Sequence, residues 1–345
     1  MSEQSPKTLS LYPIDYPFET LSSRIRSTPP KLKLDPDFQR KYKWDNAGWE
    51  RASKFIESCL MRIPLPACYF AENDDGSHIV IDGVQRLTTI EKFFKDEFRL
   101  EGMTAFKELE GKTFSELGAL KSELESTTIR CIILRKENPK ELIQEIFSRL
   151  NQGAVKLSDQ EIRHAIYPGN LDVLLNKLAL NPIVQSFGKK EKNSLEDQEL
   201  VLRFFALQDD FTKYGDRLLK FLDGYMRTNQ NMPLKEIKRL EHLFNESMDK
   251  CIAIFGETAF MDTNKGKPRQ SIVYYDLLMH SFSVKKKKML LRNKSKIIES
   301  FKKLCNTDNF QKTLSGGTQN KSSIIRRRDL WEKILRSRLG KQHVA

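Results

Sequence analysis

The sequence has few cysteines and no long apolar run, and each shortage excludes a class of protein. Its 345 residues include five cysteines, which lie far apart and form no C-x-x-C pair. This spacing excludes a disulfide framework and a zinc site and predicts reduced, buried thiols. No apolar stretch approaches ~18 residues, so we expect no transmembrane helix. The first residues lack the basic start and apolar stretch of a secretory signal, so we expect a cytoplasmic protein.

The apolar residues change their spacing part-way along the chain. Strand-like alternation predicts strands at 8–14, 31–40 and 127–136, and a hairpin in which ACYFAE and HIVID are joined by NDDGS. Helical spacing predicts helices at 45–63, 87–94, 105–120 and 139–153. Beyond residue 156 only helical spacing remains, at 171–180, 198–207, 216–225, 234–254, 271–282, 294–304 and 323–338. The sequence therefore predicts a mixed α/β half followed by an all-helical half.

The positive charge is concentrated near the end of the chain. The net charge is +13, yet residues 285–345 alone hold 18 basic and 4 acidic residues. Such a block attracts polyanions through the release of counterions. A solvated basic helix face that aids solubility is the alternative interpretation.

The stretch HIVIDGVQRLTTIEKFF, residues 78–94, predicts a strand that runs directly into a helix. The first N–H groups of such a helix point at the turn and, with the helix dipole, favour phosphate. Gly83 lets a phosphate approach the backbone, and Arg86 offers a forked donor for its oxygens. Asp82 can bind Mg²⁺ or accept a proton from water, and Gln85 can orient a water or hold a base or sugar. The same residues also fit an ordinary turn with an Asp cap and a surface Arg.

Two further segments place an arginine and an amide next to strong apolar anchors. FQRKYKW contains Gln39 and Arg40, and FSRLNQGAVKLSDQEIRHAIYPG contains Arg149, Asn151 and Arg163. Both segments lie at the ends of predicted elements. Together with the strand–helix turn they predict loops that converge on one site.

In order and spacing, the segments FQRKYKW, VIDGVQRLTTI, FSRLNQGAVKLSDQEIRHAIYPG and DQELVLRFFAL resemble the N-terminal domain of GmrSD-type restriction enzymes. That family was long known as a domain of unknown function and has a ParB/sulfiredoxin-like fold. Its signature is usually Asp-Gly-Gln-Gln-Arg. Val84 replaces the first Gln, which removes an amide that could touch a nucleotide, and Ala154 replaces a Gly after the Asn. The tail DNFQKTLSGGTQNKSSIIRRRDLW also resembles single-domain members.

The resemblance implies an α+β architecture with a ParB/sulfiredoxin-like mixed α/β domain over 1–157 and an all-helical domain over 158–345. It also implies the binding and hydrolysis of a nucleoside triphosphate with Mg²⁺ in a bacterial defence setting. Asp82, Gln85 and Arg86 would then form the catalytic part of the site, with Asp82 as the metal partner. The remaining nucleotide-binding positions would be Gln39, Arg40, Gly83, Arg149 and Asn151.

The last predicted helix presents several bases that can contact a phosphate backbone. Arg326, Arg327, Arg328 and Lys333 spread round a helix that also has an apolar side. No base-reading set accompanies them, so we expect DNA contact without sequence specificity.

Three hypotheses follow from the sequence. The first is a nucleotide-binding and hydrolysing protein whose helical domain holds DNA. The second is a non-catalytic DNA-binding module in which the Asp-Gly-Val-Gln-Arg turn is only structural. The third is a metal-dependent nuclease, against which stand five isolated histidines without metal-ligand spacing. A nuclease partner protein or a homo-oligomer remains open, and no membrane partner is expected.

Overall fold

The structure, a computed structural model, describes residues 9–34, 42, 44–45, 48–150, 158–187, 195–209 and 211–339. The chain divides into two compact units, Met1–Leu157 and Ser158–Ala345. Within the described ranges all strands lie in the first unit, and the second unit is built from helices. The predicted α+β class is confirmed. No helix in these ranges is long and apolar enough to cross a membrane.

A mixed sheet of five strands forms the centre of the first unit. Its order is β1-β5-β3-β4-β2, with β1–β5 and β3–β4 antiparallel and β3–β5 and β2–β4 parallel. The β-branched run of β5 alternates as a half-buried strand should, with Ile129 and Ile133 inside and Arg130 outside. The hairpin predicted at NDDGS is confirmed. The strands are β1 Leu11–Pro17, β2 Leu32–Lys33, β3 Cys68–Glu72, β4 His78–Asp82 and β5 Thr128–Leu134.

Helices flank this sheet, and one prediction among them is wrong. The helix expected at 105–120 is replaced by two 3₁₀ turns, Lys107–Leu109 and Phe114–Glu116. Gly111 and Gly118 adopt positive φ, which ends each short turn before a helix can propagate. The helix that follows Pro17 has no counterpart among the predicted elements. The helices are α1 Phe18–Arg26, α2 Glu50–Leu60, α3 Val84–Phe94, α4 Leu120–Ser126 and α5 Lys140–Leu150.

Helix α3 is fixed to the core and to α1. Its buried face, Leu87, Ile90 and Phe93, belongs to the hydrophobic cluster that also contains Phe18 of α1. On its flank the buried carboxylate of Glu91 accepts hydrogen bonds from Ser22 Oγ at 2.8 Å and from Arg26 Nε at 2.8 Å. A carboxylate with charged partners is a strong acceptor. These contacts fix α3 against α1.

The second unit confirms the helices predicted beyond residue 156, with small changes at their ends. A buried ion pair joins two of them, because Arg203 Nη2 lies 2.6 Å from Asp276 Oδ2. A buried pair with this forked geometry satisfies both charges. The helices are α6 Asp159–Ile166, α7 Asn170–Ala179, α8 Pro182–Gln185, α9 Glu196–Asp209, α10 Leu218–Asn229, α11 Leu234–Phe255, α12 Ile272–Ser283, α13 Lys287–Arg292, α14 Lys294–Cys305, α15 Asp308–Gln311 and α16 Lys321–Leu339.

Candidate functional site

The junction between β4 and α3 turns at a single left-handed residue. Gly83 has φ 103°, and the helix begins at the next residue, Val84. No side chain caps this end of α3 by a hydrogen bond, and Asp82, one of the expected caps, stands one residue before Gly83. The first-turn N–H groups therefore face the turn without a carboxylate cap, as an anion site requires.

Gly83 also lies directly against a side chain from the neighbouring strand. A β-carbon added at Gly83 would overlap Cys68 Sγ and come within 3.4 Å of Arg86 Nη2. The sequence suggested that the glycine lets a phosphate approach the backbone. The structure adds a packing reason, since both the φ angle and the contact with Cys68 require a residue without a side chain.

Asp82 and Arg86 form an ion pair across the first turn of α3. Arg86 Nη2 lies 2.9 Å from Asp82 Oδ2, and the same nitrogen donates to the carbonyl of Ala67 at 3.2 Å. Arg86 Nη1 donates to the carbonyl of Pro66. The Asp82 side chain is 39% exposed and that of Arg86 only 12%. Arg86 therefore holds the carboxylate in position, and Asp82 is the member of the pair that faces solvent.

Gln85 connects the junction to the chain that follows the FQR segment. The backbone carbonyl of Gln85 accepts a hydrogen bond from Thr89 Oγ1 at 2.8 Å, and this hydroxyl lies 2.7 Å from Tyr42 Oη. Burial raises the pKa of Tyr42 to about 12. Gln39 and Arg40 lie outside the described residues. Tyr42, which follows them closely in the chain, is held on α3 by its contact with Thr89.

Helix α5, which packs against β4, carries the predicted binding residue Arg149. Arg149 is in its last turn, where a cation suits the helix dipole. The Arg149 side chain is exposed and forms an ion pair with Glu145 one turn earlier. Asn151, the other predicted binding residue at this end of α5, lies outside the described residues.

The order of these features can be compared with known families. The family model of the GmrSD restriction endonuclease, N-terminal domain, matches residues 18–168. Residues 18–168, less than half of the chain, are similar to this domain. The match begins at α1, contains the whole sheet from β2 onward with the β4–α3 junction, and ends after α6. A search of curated proteins and a search of solved structures each found no match.

The GmrSD match includes a polar cluster that does not belong to the sheet unit. Arg163 of α6 is fully buried in the second unit and donates to Glu199 at 2.8 Å and to Asp223 at 2.7 Å. It also donates to Gln160 Oε1 at 3.1 Å, and among the described residues its Nη2 atom has no hydrogen-bond partner. We expected these residues to join the converging loops. The structure uses them to tie α6 to α9 and α10.

Two thiols lie beneath the junction and were not singled out in the sequence. Cys68 of β3 pairs in register with Cys131 of β5, and both are buried. The hydrogen bond between the two thiols lowers the pKa of Cys68 and raises that of Cys131, and the nearby Arg86 guanidinium also lowers the pKa of Cys68. The five cysteines are all free and buried, as expected. Only their strand register could have revealed that these two are neighbours.

The four predicted DNA-contacting residues of α16 divide into an inner pair and an outer pair. Arg327 is buried and donates to the carbonyls of Thr313 and Thr318 at 2.9 and 2.6 Å. The Arg328 guanidinium lies 4.4 Å from the ring centre of Phe211, and burial lowers its pKa to about 10. Arg326 and Lys333 are exposed on the helix. The first two side chains are used in packing, which leaves the second two for an external partner.

The junction offers few protein ligands to a metal ion. Among the described residues no group of three or more His, Cys, Asp or Glu side chains is placed to hold a metal ion. A single carboxylate such as Asp82 still fits Mg²⁺, which keeps several waters and takes its other ligands from substrate phosphates. The junction therefore fits Mg²⁺ only together with a phosphate-bearing ligand.

Proposed function

We propose that this chain binds and hydrolyses a nucleoside triphosphate with Mg²⁺ within a restriction or anti-phage system, and that its basic C-terminal part contacts DNA. The nucleotide site lies at the β4–α3 junction. The observation that carries the proposal is the partly exposed Asp82 carboxylate, which Arg86 fixes at the uncapped N-terminus of α3. The GmrSD match over residues 18–168 supports the restriction setting.

The electrostatics of the junction suit a chain of phosphates with one cation. The N-terminus of α3 carries about half a positive charge, which favours phosphate oxygens. Asp82 would hold Mg²⁺, whose role is to neutralise phosphate charge. Arg86 keeps the Asp82 carboxylate in a single orientation by its bonds to Pro66 and Ala67.

The family's FQR segment can supply the facing side of the site. β2 runs parallel to β4, so the chain leaves β2 in the direction in which β4 reaches Asp82. Leu34 after β2 is buried, and Tyr42 is anchored on α3 through Thr89. The described residues on both sides of this segment are thus fixed next to the junction. We propose that Gln39 and Arg40 contribute to phosphate binding there, together with Arg149 and Asn151.

The Asp82→Asn variant tests the metal role directly. The amide keeps the shape of the side chain but loses the charge that binds Mg²⁺. We expect loss of Mg²⁺-dependent nucleotide binding in calorimetry and at least a ~100-fold fall in phosphate release, the scale of one catalytic group. Phosphate release is measured with all four triphosphates, with and without DNA.

Asp15→Asn is the matched control for this experiment. Asp15 on β1 also pairs with an arginine, Arg130 at 2.8 Å, but β1 is at the opposite edge of the sheet from β2. This variant loses the same charge and a similar ion pair without touching the junction. Equal phosphate release from both variants and the unmodified chain would contradict the role of Asp82.

The Arg86→Ala variant tests the junction as a whole. It frees Asp82 and leaves the carbonyls of Pro66 and Ala67 without their donor, so we expect nucleotide binding to be abolished. Arg86→Lys keeps the charge but lacks the fork, and we expect weak binding to return. Thermal unfolding of both variants separates loss of the site from loss of the fold. A folded Arg86→Ala variant with unchanged nucleotide affinity would remove the site assignment.

A non-catalytic DNA-binding module is the second candidate, and one observation favours it. Val84, which stands where the family signature has Gln, packs against the hydrophobic core, so the turn also serves packing. If the junction is only structural, the purified protein will release no phosphate from any triphosphate with or without DNA. Under our first proposal release is measurable, and Val84→Gln raises it by returning an amide to the nucleotide site.

A further inference from the structure

A cavity of about 430 Å³ opens beside α10 in the second unit. It is lined by Lys213 at the end of the 3₁₀ turn Phe211–Lys213, by Gly215 and Arg217, and by one side of α10. Four lining residues are basic, and no acidic residue lines it among those the structure describes. The basic residues, all exposed, are Lys213, Arg217, Lys220 and Arg227.

Three described carboxylates near this cavity, those of Asp209, Asp216 and Asp223, have hydrogen-bond partners of their own. Asp216 accepts a hydrogen bond from the backbone N–H of Lys321, and Asp223 accepts one from buried Arg163 at 2.7 Å. Asp209 accepts the hydroxyl of Tyr225 at 2.9 Å. In the part of the chain that the structure describes, neither Arg217 nor Lys220 has a carboxylate partner. The charges of Arg217 and Lys220 are therefore not cancelled by any described carboxylate.

Small residues keep the cavity open. A β-carbon at Gly215 or at Gly224 would meet no other atom within 4 Å. Gly224 lies inside α10, where glycine weakens a helix relative to alanine, and no close packing requires it there. Phe221, half-buried, forms an apolar wall with its ring 5.1 Å from that of Tyr214. A basic cavity with one aromatic wall and bare backbone suits a phosphate-bearing strand.

The basic residues follow one face of α10. Arg217, Lys220, Gly224 and Arg227 are spaced by three, four and three residues, which places them in a row along the helix. Ten residues from Arg217 to Arg227 correspond to about 15 Å of helix. Phosphates of one DNA strand advance by about 3.4 Å along the duplex axis, so about four of them fit this length. A row of this kind matches a phosphate backbone better than a single small anion.

We propose that the α10 cavity binds the phosphodiester backbone of a nucleic-acid strand. Its lining residues, within 213–228, all precede the basic segment 285–345, so the charge concentration of the sequence does not include it. The inference does not depend on nucleotide hydrolysis at the β4–α3 junction. It adds to the proposed DNA contact a second, defined surface without base-reading groups.

The test reverses two charges at the start of α10. Arg217→Glu with Lys220→Glu removes two phosphate contacts, and acidic residues in a first turn suit the helix dipole, so the fold should persist. The probe is a fluorescein-labelled DNA of about 20 nucleotides, single-stranded and as a duplex, followed by anisotropy. We expect at least ~10-fold weaker binding of one or both forms and a salt slope smaller by about 2.

Lys235→Glu with Lys238→Glu is the matched control. These exposed lysines have the same spacing near the start of α11, lie outside the lining of the cavity, and give the same change in net charge. Arg217→Gln with Lys220→Gln is a milder second variant, and circular dichroism checks the folding of all three. Equal DNA affinity of the α10 and α11 variants overturns the proposal, as does an unmodified protein that binds no DNA at low salt.

A free nucleotide is the other source of phosphates, and calorimetry with Mg²⁺ and triphosphate distinguishes it. If the α10 variant loses nucleotide binding while its DNA affinity equals that of the α11 control, the cavity holds free nucleotide and the proposal fails. If the α10 variant loses DNA binding and keeps nucleotide binding, the proposal stands. The Asp82→Asn experiment reports on the β4–α3 junction alone, so the two proposals can fail separately.

Discussion

Gly83 combines two requirements at the end of β4 that a residue with a side chain cannot meet. Its φ of 103° directs the chain from the strand into α3, and Cys68 occupies the space where a β-carbon would be. The first requirement is conformational, and the second is steric. The position of Asp82 and of the first turn of α3 depends on both.

Gly83→Ala should therefore destabilise the first unit more than a left-handed glycine usually does. Gly76 in the β3–β4 turn has φ 76° and open space around it, so Gly76→Ala measures the conformational cost alone, about 1–2 kcal/mol. Gly83→Ala adds an overlap with Cys68, and we expect about 1–3 kcal/mol more. Urea unfolding of the two variants provides the comparison. Equal losses would mean that Cys68 moves aside freely.

At the residue scale, proximity along the chain is easier to read from a sequence than burial. Asp82 ends β4 and Arg86 lies in the first turn of α3, so the left-handed turn at Gly83 brings the two side chains together. Arg327 is buried because Thr313 and Thr318 offer carbonyls from a separate loop. No pattern along the helix contains that information. The basic residues that line the α10 cavity were not predicted as a site, because acidic residues nearby balance their charge in the sequence. In the structure two of these acids, Asp216 and Asp223, accept hydrogen bonds from other groups.

At the element scale, the spacing of apolar residues predicted the long helices and the hairpin correctly. The main error, a helix expected at 105–120, arose because two glycines interrupt that interval. α11 was expected at 234–254 and is observed at Leu234–Phe255. The interval 105–120 has helical spacing, but Gly111 and Gly118 in left-handed conformations divide it into 3₁₀ turns. The order of strands in the sheet depends on contacts between distant segments, so spacing alone could not supply it.

His280 on α12 makes the second unit sensitive to acid. Its Nδ1 lies 2.6 Å from Gln208 Oε1, and burial, with nearby Arg328 and Lys285, lowers its pKa to about 3. In the unfolded chain a histidine titrates near ~6.5. Below that pH the histidine is protonated in the unfolded state but stays neutral in the folded state. The free energy of unfolding therefore falls by about 1.4 kcal/mol for each unit by which the pH is lowered.

Unfolding free energies at pH 7 and at pH 5 test this expectation. His280→Gln keeps a polar side chain without a titrating ring, and we expect it to remove about 2 kcal/mol of the difference between the two pH values. His242→Gln, on exposed His242 of α11, should leave the difference unchanged. An identical pH dependence of the His280→Gln variant and the unmodified chain would show that other groups cause the acid sensitivity.

At the scale of the whole molecule, the charge distribution predicts how DNA binding responds to salt. Each neutralised phosphate contributes about −0.9 to the slope of log affinity against log salt concentration. If Arg217 and Lys220 each cover one phosphate, they contribute about −2 to the slope. The basic segment 285–345 should make it steeper. Anisotropy titrations between about 50 and 200 mM salt measure the slope.

Charge reversal at Arg326 and Lys333 measures the share of α16 in that slope. Both are exposed on the helix, so we expect a reduction of up to about 2 with the fold intact. Arg327→Glu should instead destabilise the protein, because it buries an acid against two carbonyls. A slope near zero for the unmodified chain would contradict nucleic-acid binding by either surface.

The two ion pairs of Arg163 affect the choice of the last residue in an expression fragment that contains only the first unit. The GmrSD family match ends at residue 168, whereas the second unit begins at Ser158. A fragment trimmed to the family limit would keep α6 with Arg163 but discard Glu199 and Asp223, so α6 would lose both ion-pair partners and the helices that carry them. An expression fragment that stops at residue 157 avoids this defect and is the better starting point for crystallising the first unit.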